Sequence, residues 1–412
     1  MLTKKAFYIL GGILLGVLLV VMVARLFFNN NNSSSSMPTN LDVANSNETM
    51  ALGNDTHDFN LKGASFLVLY SNMLEEGVEL VSYSSSGAIL SQLSLNVGKK
   101  LDFAAKVKGN IYIASERQHH HFQISQDGKI RSFFGPSIYE QDRAIGATFI
   151  RNSNGYLLFS MNMGAHPDYS PHEYGNELVY WNDDDHVYNH LKLTGYFMSA
   201  VTIHNKAYVL YSNGKRNSNG IYVVDLKTNK LVSDYPLRSI DRYYPVGREN
   251  GSSLQLYNNR LLVFMTGDDP SQKQDQPVML VINPQNGTIE QTIKVSNKSF
   301  DLYGTFVHNG KVYVVSYEGE LVVFNQKFEI ETLIRLEQGS QFVMKRKEES
   351  GLISGVQVDG DSLFILYDFV KNAPLDRQKE IHQYHIDTGK ELAVIPLSHK
   401  TDREMVRFFI TK

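Results

Sequence analysis

The side chains able to do chemistry fall in a few short clusters. His166, Asp168, His172 and Glu173 lie within eight residues of one another. They offer the imidazole and carboxylate groups that suit Zn²⁺ or a similar ion. Their spacing matches no established zinc pattern, so they converge only if the chain between them folds back. Asp183, Asp184 and Asp185 are oxygen ligands of the kind Ca²⁺ takes; a hairpin turn accounts for three aspartates equally well. His119, His120 and His121 lie in or beside a strand, where neighbours point to opposite faces. Only His119 and His121 could share an ion, and a polar outer strand face also accounts for the run. A different chemistry is offered by Arg238, Arg242, Tyr243, Tyr244 and Arg248, with Asp268 further along the chain. Tyr and Arg dominate binding hot spots because they are large and hydrogen-bond well. This group is the candidate ligand-binding site; tyrosines covering the core and solvated arginines are the alternative. No catalytic set, cofactor or metal is expected.

Composition narrows the classes. The chain has 412 residues, 42% hydrophobic and 20% charged, which is ordinary for a globular protein. A net charge of −3 argues against a general nucleic-acid binder. The absence of cysteine excludes disulfides, thiolate metal sites and a cysteine nucleophile. No phosphate loop, G-x-S-x-G elbow, HExxH or dinucleotide fingerprint occurs.

Beyond residue 60 helical periodicity is nearly absent, and short apolar runs recur between Asn, Gly and Asp. One run is an aromatic-rich strand with seven copies, from FLVLYS (Phe66–Ser71) to LFILYD (Leu363–Asp368). Six copies follow a strand ending in a tight turn, with last apolar residues Val107, Ile150, Ile203, Leu256, Val307 and Val358. A hairpin follows each copy. Four strands in about 50 residues is the content of one propeller blade. The first copy lacks its leading strand, and the last segment, Met405 to Lys412, has the character of one. Ring closure follows: the C-terminal strand supplies the inner strand of the first blade. Arg407 stands where other copies carry a small residue, so either the last strand is shifted or Arg407 points into the channel. The connections from second to third strand vary in length, from Asn162–Asn176 in the third blade to almost nothing in the sixth. Insertions confined to one face point to a binding surface, although drift of surface loops also produces them.

The hairpins IDTGKELAVI (Ile386–Ile395) and INPQNGTIEQTI (Ile282–Ile293) resemble those of quinoprotein-like and YVTN-type repeats. Residues 62–412 thus resemble a bacterial extracytoplasmic seven-bladed β-propeller. The resemblance implies the fold alone. The recurring blade-end Trp of quinoproteins is missing, since Trp181 is the only tryptophan, so quinone-dependent dehydrogenation is not expected.

The N-terminal region predicts a membrane anchor. Residues 6–28 are apolar apart from Arg25, and Ala6 to Ala24 carry no charge, enough for a helix across about 30 Å of hydrocarbon. The run exceeds a signal-peptide core, and no clear cleavage site follows. Lys4 and Lys5 precede it, which places residues 1–5 in the cytoplasm and the remainder outside. Residues 29–60 are Asn/Ser-rich and read as a flexible stalk. Gly12 and Gly16 form a GxxxG pair that could seat the helix against another membrane protein.

The expectation is an all-β, seven-bladed propeller at 61–412 behind a single-pass signal anchor at the cell membrane. It acts as a binding scaffold or sensor for a protein, peptide or glycan at the cell envelope, with no nucleic-acid partner. The alternative is a cell-envelope hydrolase or lyase using His166, His172, Glu173 or Asp268.

Overall fold

A computed structural model describes residues 48–49, 57–96, 100–117, 120–134, 146–165, 174–182, 187–213, 218–237, 243–246, 252–267, 276–296, 300–337, 351–369, 379–403 and 405–411. Every regular element among them is a strand, and the strands form seven antiparallel sheets. Among the described residues no helix is long and apolar enough to cross a membrane. The expected anchor at 6–28 lies outside them.

Blades are numbered here in chain order from the sheet containing Phe66–Ser71. The inner strands of blades 2, 3 and 4 are Leu101–Val107, Gly146–Ser153 and Tyr196–Ile203. Those of blades 5, 6 and 7 are Leu254–Tyr257, Leu302–His308 and Gly351–Asp359. Each pairs with the aromatic-rich second strand through a tight turn. The turn residues Asn258 and Asn259 both have positive φ, 48° and 56°. That is the primed two-residue hairpin, whose twist matches the flanking strands. The second strands are buried over most of their length, Phe66–Ser71 along all of it, while outer strands such as Lys230–Pro236 alternate exposed with half-buried. A strand sandwiched between neighbouring blades must be apolar on both faces, and an outermost strand on one only.

The core follows from that arrangement. It consists of seven apolar clusters, each drawn from two adjacent blades. The cluster closing the ring joins Phe364, Leu366 and Ile381 of blade 7 to Phe66, Val68 and Tyr70 of blade 1.

The first long strand and the last one meet as the missing leading strand predicts. Met405–Ile410 pairs with Phe66–Ser71 as the inner strand of blade 1, from Phe66↔Ile410 to Ser71↔Met405. The segment read as a stalk adds short edge strands: His57–Asp58 on blade 2, opposite Ile130 and Lys129, and Glu48–Thr49 on blade 3. Phe59 then buries its ring in the cluster between blades 1 and 2, with its amide donating to the carbonyl of Gly128. Gly128 has φ +85°, and a Cβ there would overlap the Phe59 carbonyl. Only glycine fits.

A polar clasp reinforces the seam. Glu79, on the blade 1 strand Val78–Tyr83, accepts a hydrogen bond from His399 Nε2 at 2.6 Å and lies 3.3 Å from Arg403 Nε. His399 and Arg403 belong to the connection leading to the closing strand, and Arg403 also donates to the Gly77 carbonyl at 2.7 Å. Burial alone would raise the Glu79 carboxyl, but hydrogen bonds from His399, Arg403 and Thr401 outweigh it and hold the group below its ordinary value. A pKa lowered by folding adds stability above the unfolded value and loses it as pH falls through the folded one. Glu79→Gln should therefore melt a few degrees below the parent at pH 7. The gap should close as pH falls below about 4.5, which thermal melts across a pH series will show.

Candidate functional site

Each blade places its inner strand at the axis. In blades 2, 3, 4, 6 and 7 that strand carries a one-residue bulge, skipping Asp102, Thr148, Met198, Tyr303 and Ser354 in the ladder. A bulge bends the strand and sharpens its twist. Blade 5 has a larger interruption at the same level. Tyr243–Pro245 pairs with Gly267, Thr266 and Met265, and Leu254–Tyr257 resumes opposite Val263. Between these two pairings the Phe264 carbonyl accepts from the Val246 amide and the Phe264 amide donates to the Ser253 carbonyl, so one residue of the second strand meets two inner-strand residues that are seven apart in sequence. Pro245 is tolerated because the inner strand is an edge and needs no donor towards the axis. Sequence reading treats Tyr243 and Tyr244 as part of a blade-to-blade loop; they form the upper half of the inner strand instead.

Of the expected binding residues, Tyr244 is 49% exposed. Tyr243 is placed by its backbone pairing with Gly267. Arg238, Arg242, Arg248 and Asp268 lie outside the described residues, as do His166, Asp168, His172, Glu173, His119 and Asp183 to Asp185. Among the described residues no group of three His, Asp or Glu could hold a metal. His121 is fully buried; its Nδ1 accepts from the Ser115 amide at 3.1 Å and its ring meets Phe159 edge-on. It is a core residue between blades 2 and 3, not part of a polar outer face.

At the axis the inner strands enclose a cavity of about 630 Å³, lined from the middle of the strands to the turns that follow them. Its walls carry Lys106, Arg151, His308 and Arg407, and no Asp or Glu is among the described residues that line it. Arg407 stays in register opposite Leu69. The matching rungs in blades 2, 3, 4, 6 and 7 hold Phe103, Phe149, Ser199, Gly304 and Gly355. Of the two readings left open by the sequence, the channel-lining one is correct.

A belt of hydrogen bonds ties blade to blade here. Arg151 of blade 3 donates to Ser199 Oγ of blade 4 at 3.1 Å and to Gln255 Oε1 of blade 5 at 2.7 Å, and also to the Leu254 carbonyl. Gln255 Nε2 donates onward to the carbonyl and Oγ1 of Thr305 in blade 6, at 2.9 and 3.0 Å. Lys106 Nζ of blade 2 donates to the carbonyl of Thr411, beside the blade 1 strand, at 3.1 Å. Arg407 of blade 1 donates to the Ser354 carbonyl of blade 7. Desolvation lowers the Arg151 guanidinium to about 10, so it stays charged at neutral pH. Except for Arg407, no sequence signal marked these residues, because a lone Arg, Lys or Gln in a strand reads as a solvated face.

No family model and no curated protein matches this chain. Solved structures are similar in fold. An apocarotenoid oxygenase of Synechocystis superposes with TM-score 0.52 at 10% identity, over 88% of this chain and 96% of that one. AztD of Citrobacter koseri reaches TM-score 0.46 at 11% identity, over 84% and 98% of the two chains. BamB of Moraxella catarrhalis reaches 0.41 at 13% identity, over 75% and 78%. At these identities the likeness is one of fold alone.

Proposed function

We propose that this chain is a membrane-anchored extracytoplasmic propeller that binds a protein, peptide or glycan at the end of the ring bearing its long connections. The observation that carries the reading is the broken inner strand of blade 5. There the pairing passes from Pro245↔Met265 to Leu254↔Val263 beside Tyr243 and Tyr244, and Tyr244 is 49% exposed. A large aromatic left half in solvent on a rigid strand is the type of residue that anchors a partner. The closed ring supports the reading further. It fixes the strand ends that flank neighbouring connections relative to one another, which lowers the entropy cost of binding across them. Anchoring by residues 6–28 would keep this surface at the membrane.

The test is capture from envelope fractions by the full chain in detergent, compared with the Tyr243→Ala/Tyr244→Ala variant. Loss of a two-tyrosine hot spot should weaken retention about tenfold or more. Equal capture by parent and variant removes the proposed surface. Resistance of the full chain to alkaline extraction from membranes, and its release after deletion of residues 6–28, tests the anchor.

A further inference from the structure

We propose that the chain ahead of Glu48 continues around the outside of the ring and seats Thr39 and Asn40 on the outer edge of blade 4, against Leu231 and Lys230. This seat is separate from the binding surface proposed above.

The two edge strands already described set the step. His57–Asp58 pairs with Ile130 and Lys129, the first two residues of the outer strand Lys129–Phe134 of blade 2. Glu48–Thr49 pairs with Tyr188 and Val187, the first two of the outer strand Val187–Thr194 of blade 3. Both pairings are antiparallel and take the same register. Glu48 lies nine positions before His57. Traced backwards from Phe59, the chain thus passes from one blade to the next in nine residues. The same step from Glu48 reaches blade 4 at Thr39 and Asn40, with Thr39 opposite Leu231 and Asn40 opposite Lys230, the first two residues of Lys230–Pro236.

The destination fits the occupant. Lys230–Pro236 is the last strand of its sheet among the described residues, whereas the equivalent strands of blades 2 and 3 are covered. An open sheet edge turns unpaired N–H and C=O groups outward, ready to take up another strand. The doublets on blades 2 and 3 are polar, His-Asp and Glu-Thr, and Thr-Asn is a third of that kind. Pro38 comes next and has no N–H to offer, so the pairing stops there. Pairing of Glu48–Thr49 on blade 3 holds the preceding segment close to blade 4, which raises its effective concentration at that edge. With the anchor proposed above, residues 29–37 are then the free tether. Such a flexible chain spans about 15–18 Å root-mean-square, against about 22–26 Å for the whole of 29–47. That consequence rests on the anchor; the pairing does not.

The test is disulfide trapping in the full chain in detergent, which has no cysteine of its own to interfere. Directly opposed strand residues have Cα atoms about 4.5–5.5 Å apart, within disulfide reach. The blade 4 pairs are Thr39→Cys with Leu231→Cys and Asn40→Cys with Lys230→Cys. Leu231 packs against the core between blades 3 and 4, so the Lys230 pair serves should Leu231→Cys unfold the protein. Glu48→Cys with Tyr188→Cys is the benchmark. Thr39→Cys with Glu290→Cys, at the matching position on blade 5, is the control. After oxidation, at least one blade 4 pair should reach the benchmark's intramolecular yield and exceed the control about tenfold or more, since Cα atoms more than about 7 Å apart do not bridge. Blade 4 yields no higher than the control, or a benchmark pair that fails to form, overturn the proposal. Neither result bears on capture of a partner through Tyr243 and Tyr244.

Discussion

Deletion of residues 405–412 should abolish the cooperative melt of the protein and leave an aggregating product. The deleted strand pairs with Phe66–Ser71 along its whole length. It also carries Val406 and Phe408, both buried in the cluster between blades 7 and 1, with Ile410 packed against it. Burying a side chain of this kind contributes about 1.5–3 kcal/mol. Several together approach the total of about 5–15 kcal/mol by which a domain is stable. The loss would also bare the edge of Phe66–Ser71, a strand of buried hydrophobic residues, and such an edge recruits other chains. Thermal melting and size-exclusion chromatography of the truncated and parent chains read this out. A truncated monomer with the parent's melting temperature would show that the seam contributes nothing.

The second large effect lies inside blade 3. Glu177 and His190 are almost wholly buried, with Glu177 Oε1 2.5 Å from His190 Nδ1. The His190 carbonyl also accepts from Asn229 of blade 4 at 2.8 Å, and Asn229 in turn accepts from Tyr180 at 3.0 Å. Glu177→Ala leaves an imidazole in an apolar interior without its carboxylate, and opens a cavity. Breaking a buried pair in this way costs about 3–5 kcal/mol. Replacing both partners with apolar residues of similar size, Glu177→Leu with His190→Phe, removes the need for pairing and should recover most of that loss. Denaturant unfolding of Glu177→Ala, and of Glu177→Leu and His190→Phe singly and together, gives the comparison. A double variant as unstable as the sum of the singles would mean that the two side chains do not act as a pair.

Much of this fold was legible from local chemistry. The second strand of each blade is apolar on both faces and stands out in every copy. The Asn- and Gly-rich turns mark where each inner strand ends, because only such residues accept positive φ at low cost. The missing strand at residue 66 implied closure by Met405–Ile410, and the pairing follows it. Register was less legible. Sequence alignment set Ile150 beside Val107, yet the blade 3 hairpin turns at Asn154 and Gly155 with Ser153 paired to Tyr156. A polar residue ends that strand, so the last apolar residue misplaces it. The edge strands Glu48–Thr49 and His57–Asp58 left no signal, since two polar residues pairing through their backbones show no alternation. The bulges were equally silent, because an extra residue is visible only once its partner strand is known. The axial cavity escaped for a related reason. Lys106 and Arg151 come from neighbouring blades, but Arg407 comes from the last strand, and closing the ring is what brings it to them.

Hydrogen exchange in the intact chain tests the closed ring most directly. If Met405–Ile410 is the inner strand of the first blade, its amides and those of Phe66–Ser71 should exchange as slowly as the inner and second strands of blades 4 and 6. Rapid exchange across the last eight residues, with only half of the Phe66–Ser71 amides protected, would mean that the two ends of the chain do not meet.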